Sequence, residues 1–218
     1  GWRWQSDLPL LILLSLGVSS ISADWFARFY LMHSPLSTAD FSEYCEAVIS
    51  AMAGEAQSHN PQRSRLVSWL LGLLAEQVGV MDSLVIGAVA GLGLMVAGLY
   101  LWAQAVAGRG AAIAAALSVV AIAPLVLMSR APSFYSELLG VLALASGCCA
   151  QALIRRGPGW ILLAAFSSGM LSLVETRGLF WTLPTGGLCL LAALMARGPG
   201  KPWVLRLGSV IGVVVAMI

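Results

Sequence analysis

Charge is scarce in this chain: 10% of its 218 residues are Asp, Glu, Lys or Arg, against about a quarter in soluble domains. Joined to 59% hydrophobic residues, that scarcity argues against a soluble globular domain. Histidine is nearly missing too. His33 and His59 are the only two, and neither stands in an H-x-x-x-H or carboxylate spacing that would indicate a metal. The four cysteines form no metal or redox pattern. Cys148, Cys149 and Cys189 fall inside apolar runs and read as small apolar residues, while Cys45 stands alone in a polar stretch. Proline is sparse deep in the apolar runs, where Pro124 is the one example deep inside a span.

What the chain has in quantity is apolar runs of membrane-crossing length, roughly 17 to 25 residues. They fall at Leu8–Ala23, Ser83–Ala107, Ala111–Met128, Phe134–Leu153, Trp160–Val174, Leu179–Ala196 and from Trp203 onward. In hydrocarbon each backbone amide must be paired within its own segment, so runs of this length are expected to be helices. The expected fold is all-α: a polytopic membrane bundle of about seven spans, one transmembrane domain over residues 1–218. Few cations precede Leu8–Ala23 and no cleavage site follows it, so it reads as a retained first span. Trp25, Phe26, Phe29 and Tyr30 after it suit the headgroup region. With no initial methionine, and a last apolar run that reaches Ile218, the sequence reads as part of a longer protein.

Charge alternates between the loops. Arg3, Arg109, Arg155, Arg156, Arg197, Lys201 and Arg206 share one set, with Asp7 as its one acid. The other set holds Asp24, Asp40, Glu43, Glu46, Glu55, Glu76, Asp82, Glu137 and Glu175. The positive-inside rule places the basic set on the cytoplasmic face and the acidic set outside. Arg28, Arg63, Arg65, Arg130 and Arg177 lie on the outer side against that preference. A cation retained there needs a partner, and an anionic ligand is one candidate.

The longest polar stretch, residues 24–82, is an outer loop with two amphipathic helices. Phe41, Tyr44, Cys45, Val48, Ile49 and Met52 recur at three and four, one face of a helix, with Ser37 as its N-cap and Gly54 as its stop. Asn60-Pro61 opens a second, which runs through Leu66, Trp69, Leu70, Leu73 and Leu74 to Gly79. Lying in the interface, the pair would cover the outer mouth of the bundle. By spacing alone Asp40 is either a capping acid or a working carboxylate. Glu43 and Glu46 read as a solvated face. Arg130 and Glu137 flank a short proline turn and could pair to close it. Arg177 follows Glu175 in a short loop at the membrane surface; Arg130 and Arg177 are snorkelling cations or two forks on one phosphate.

These features resemble the GT-C superfamily of polyprenyl- or dolichyl-phosphate-sugar glycosyltransferases. The shared plan is a first span, a long outer loop with two amphipathic helices and an acidic motif near its start, then spans joined by short loops. Asp40-Phe41-Ser42-Glu43-Tyr44 looks like the family's D-E-x-x-Y-type motif with its second acid displaced to Glu43. Ser129-Arg130 through Glu137 is similar to the loop after the third span, and Thr176-Arg177-Gly178 with Leu183-Pro184 looks like a basic-Gly…Leu-Pro turn. The resemblance implies an inverting transfer of sugar from a polyprenyl-phosphate donor to an acceptor at the outer face of a membrane, such as the bacterial inner (plasma) membrane. Asp40 would then be the general base. Arg130 and Arg177, with Glu137, Glu175 and Tyr44, would bind the donor and its phosphate. Membrane lipid and other membrane subunits are the further partners it admits. It implies no nucleic acid and no cofactor, and leaves room for a divalent metal that nothing in the spacing indicates. Two other readings fit the same residues: a noncatalytic glycosyltransferase-like subunit of a larger complex, whose small residues Gly87, Gly91, Gly93, Ala97 and Gly98 would allow close helix contacts, and a transporter. The transporter is disfavoured because no span carries a charge near its centre or breaks in repeated halves.

Overall fold

The computed structural model describes residues 3–30, 39–54, 65–122 and 135–196. They form eight α-helices and one 3-10 turn: α1 Trp4–Tyr30, α2 Ala39–Met52, α3 Arg65–Val78, α4 Val80–Ala107, α5 Arg109–Ala121, α6 Tyr135–Arg155, α7 Pro158–Val174, the 3-10 turn Thr176–Gly178 and α8 Leu179–Met195. The all-α class expected from the apolar runs is what the chain adopts. Predicted pieces that lie outside the described residues are the caps at Ser37 and Asn60-Pro61, the last third of the third span and the run from Trp203.

Helix ends follow the local chemistry. Between α3 and α4 a single residue, Gly79, takes φ +91°, and Gly108 takes φ +89° between α4 and α5. Both are left-handed conformations that glycine alone enters without a Cβ penalty. Pro158 opens α7 right after Gly157, a position whose missing N–H has no intrahelical partner to lose. The first helix departs from expectation. It runs unbroken through Trp25–Tyr30, because no proline occurs between Pro9 and Pro35 to stop it.

α4 and α6 are the axis of the bundle and make its largest helix pair. They run parallel, with Gly91 against Ser136 and Gly140 at one level and Gly98 against Ala143 and Gly147 further along. α1 and α5 pack on α4, α7 and α8 on α6. At 28 and 21 residues α4 and α6 are the two described helices long and apolar enough to cross a bilayer, about 42 and 32 Å at 1.5 Å per residue. α5, α7 and α8 are apolar but hold 13, 17 and 17 residues.

One end of the bundle carries Arg3, Asp7, Arg109 and Arg155, which hydrogen bonds and an ion pair link across α1, α4, α5 and α6. The other carries Glu137 and Glu175, and α2 and α3 pack there. Tyr44 and Val48 of α2 and Val67, Leu71 and Ala75 of α3 join Leu84, Leu138, Val141, Leu171 and Val174 in one core.

The predicted apolar faces meet the bundle only in part. In α2 Tyr44, Ala47 and Val48 are buried while Ile49 and Met52 are exposed. In α3 Val67, Ser68, Leu71 and Ala75 are buried while Trp69, Leu70 and Leu73 are exposed. α3 is apolar nearly all round from Leu66 to Ala75, Ser68 apart, so hydrophobicity alone could not name its buried face. Tyr44 and Leu71 reach into the core against the bundle, and Gly72 lets α3 lie close against Ala51 and Met52 of α2.

Candidate functional site

The acidic end is assembled from α3, α4, α6 and the 3-10 turn. At the start of α6, Ser136 donates its hydroxyl hydrogen bond to the Ala88 carbonyl at 2.7 Å, which pins that turn to α4. The next residue is thereby pressed inward. Glu137 is only 9% exposed, and its Oε1 stands 2.6 Å from where a Cβ on Gly87 would be, with Leu71 Cδ2 2.9 Å from the same point. Glycine at 87 is what leaves room for the carboxyl group. Its other oxygen, Oε2, is buried with no hydrogen-bond partner. A buried polar atom without a partner costs on the order of 1–3 kcal/mol, so this position is held against its own solvation preference. The first turn of a helix, with its unpaired N–H groups, is where a carboxyl is least disfavoured.

Glu175 ends α7 with extended backbone, and its side chain is buried. Its carbonyl accepts from Gly178 N at 2.8 Å, folding the chain back so tightly that a Cβ on Gly178 would sit 1.9 Å from the Leu171 carbonyl oxygen. That turn carries Arg177 to the start of α6, where Nη1 donates to the Tyr135 hydroxyl at 2.6 Å and the guanidinium lies 5.7 Å from the ring centroid. Arg177 is exposed at the rim.

Among the predicted site residues, Glu137, Glu175, Arg177 and Tyr44 therefore gather at one end of the bundle. Tyr44 is 1% exposed and sits within the apolar core under α2 and α3. Asp40 lies on α2 one helical turn before Tyr44. Arg130, His33 and His59 lie outside the described residues. Among the described residues no three of His, Cys, Asp and Glu gather as a metal would require. Cys45, half-buried beside this core, has its thiol pushed above the ordinary range by burial and then by the charge of Glu46.

The opposite end holds a polar network that the sequence reading passed over. Asp7 is buried and its Oδ2 accepts from Arg3 N at 2.6 Å and Gln104 Nε2 at 3.0 Å. Its Oδ1 lies 3.7 Å from Arg109 Nε. Gln104 Oε1 accepts from Gln151 Nε2 at 2.8 Å and Arg155 Nη2 at 3.1 Å. Gln151 also donates to the Leu101 carbonyl at 2.8 Å, and its Oε1 accepts from Arg155 Nε. The available signal was a glutamine near the end of each of two apolar runs, where a polar side chain is costly unless partnered.

Comparison with protein-family models, with curated proteins and with solved structures finds no match to this chain.

Proposed function

We propose that the chain is an integral membrane glycosyltransferase of the GT-C kind, which moves a sugar from a polyprenyl-phosphate donor to an acceptor at the acidic end of its bundle. The observation that carries the reading is the gathering of Glu137, Glu175 and the Arg177–Tyr135 pair at one end, beneath two helices that follow the first. In the proposal α1 and α4–α8, with the residues after Ala196, supply about seven spans. The acidic end faces outward from a bacterial inner (plasma) membrane. Many bulky apolar side chains on the bundle's outside, among them Leu13, Trp102, Phe166 and Phe180, are exposed, which suits lipid contact better than water. The exposed Trp69, Leu70 and Leu73 of α3 suit the headgroup boundary.

The chemistry is a single displacement. Asp40 takes the proton of the acceptor as it attacks the anomeric carbon, and the lipid phosphate departs. Arg177, with Arg130, balances the charge that grows on that phosphate; held beside Tyr135, its guanidinium is positioned before the donor arrives. Glu137, Glu175 and Tyr44 shape the floor beneath.

The test is sugar transfer in membranes loaded with lipid-linked sugars, comparing the full-length protein with its Asp40→Asn form. A loss of about a hundredfold or more is expected when a general base is removed. Undiminished transfer by Asp40→Asn would take Asp40 out of the mechanism, and no transfer by either form would favour the noncatalytic subunit.

A further inference from the structure

We propose that the basic end of the bundle, on the far side from the transfer site, binds a phosphate group at Arg155. The case rests on how that arginine is held. Its Nε donates to Gln151 Oε1 and its Nη2 to Gln104 Oε1, so two neutral amide oxygens fix the plane of the guanidinium without cancelling its charge. Among the described residues no carboxylate pairs with Arg155. Asp7 is near enough to act on Arg155 through space but forms no ion pair with it, and Asp7 is already engaged by Arg3 N, Gln104 and Arg109. One carboxylate thus serves an end that carries Arg3, Arg109, Arg155 and Arg156.

The amides themselves are held from behind. Gln104 and Gln151 are buried, and Gln151 is anchored on the Leu101 carbonyl of α4. The fork therefore does not need to be ordered when an anion arrives, and among the described residues Nη1 makes no hydrogen bond. Arg156 follows with φ +55°, a left-handed conformation uncommon for a residue with a long side chain. It ends α6 there and adds a second, exposed cation beside the first. Arg109 is 53% exposed on the neighbouring helix. A planar fork of fixed orientation with flanking cations matches phosphate oxygens better than it matches a point anion such as chloride. Two sources supply that chemistry: the phosphodiester of an anionic lipid at the end of an apolar bundle, or free phosphate.

The experiment measures thermal unfolding of the full chain in detergent while titrating phosphatidylglycerol, phosphatidylcholine, or inorganic phosphate against chloride of equal ionic strength. Binding to the folded state raises the melting temperature with a saturable midpoint. Stabilisation by phosphatidylglycerol beyond phosphatidylcholine identifies the lipid; stabilisation by inorganic phosphate beyond chloride identifies the free anion. Arg155→Gln is expected to move the midpoint about fivefold higher, as one surface cation is worth to an anionic headgroup, and Arg155→Lys to fall between. If Arg155→Gln does not fold, Arg109→Gln, which alters an exposed side chain, decides by the same shift. The proposal is overturned if neither ligand exceeds its control, or if the folded variants keep the original midpoint.

Discussion

Gly91 and Gly140 meet backbone to backbone: a Cβ on Gly140 would lie 2.2 Å from the Gly91 carbonyl oxygen. Gly147 meets Gly98 the same way at 2.4 Å. The atoms that would be struck are helix backbone, which cannot rotate aside as a side chain can. Gly140→Ala is therefore expected to force α4 and α6 apart and to cost about 1–3 kcal/mol, the usual range for overpacking. Gly17→Ala in α1 is the control, since nothing lies within 4 Å of its Cβ position; it is expected to be neutral or to add up to about 1 kcal/mol through helix propensity. Reversible unfolding in mixed micelles, followed by circular dichroism, reads both.

A second close pair joins structure to the candidate site. Because the Glu137 carboxyl occupies the space over Gly87, Gly87→Ala should be destabilising in the native chain and much less so beside Glu137→Ala. The coupling expected for two residues in contact is about 0.5–3 kcal/mol. A double-mutant cycle on unfolding free energy measures it. Additive costs would mean that the carboxyl is not held over Gly87.

The fold was legible in the sequence where a long apolar run had a breaker at each end. Val80–Ala107 lies between Gly79 and Gly108, and its predicted span differs from the helix by three residues at one end. α2 and α3 were legible as helices, but the side that faces in only in part. Their burial is decided by which residues let two backbones approach, as Gly72 does against α2, and that depends on a partner surface that periodicity does not record. The gathering of Glu137, Glu175 and Arg177 at one end could be anticipated from alternating loop charge. The burial of Glu137 could not, since it depends on Gly87, fifty residues away in sequence. The Asp7–Gln104–Gln151–Arg155 network was missed because glutamines in apolar runs carry no charge to count.

That network gives a prediction of its own. Gln104 both donates to Asp7 and accepts from Gln151 and Arg155, so Gln104→Leu removes three hydrogen bonds and leaves buried polar atoms of Asp7 and Gln151 short of a partner. A loss of at least about 2 kcal/mol is expected, given about 1–3 for each buried group left unsatisfied. Gln104→Glu keeps the acceptor for Arg155 but sets a second carboxyl against Asp7. Unfolding free energies of the two variants against the native chain measure these costs.

Cys45 supplies a prediction that needs neither a membrane nor a substrate. Its thiol is held above the ordinary range first by burial and second by the charge of Glu46. Only the thiolate attacks an alkylating reagent. At neutral pH the folded chain should therefore react with iodoacetamide more slowly than a free cysteine peptide, and the rate should still be rising at a pH where the peptide has levelled off. Glu46→Gln removes the smaller cause, so it should lower the midpoint of the rate profile while leaving it above that of the peptide. The buried Cys148, Cys149 and Cys189 must be replaced by alanine or followed separately by mass spectrometry, so that the profile belongs to Cys45 alone. A wild-type profile that coincides with the peptide's would show that α2 does not hold Cys45 against the core of Tyr44 and Leu71.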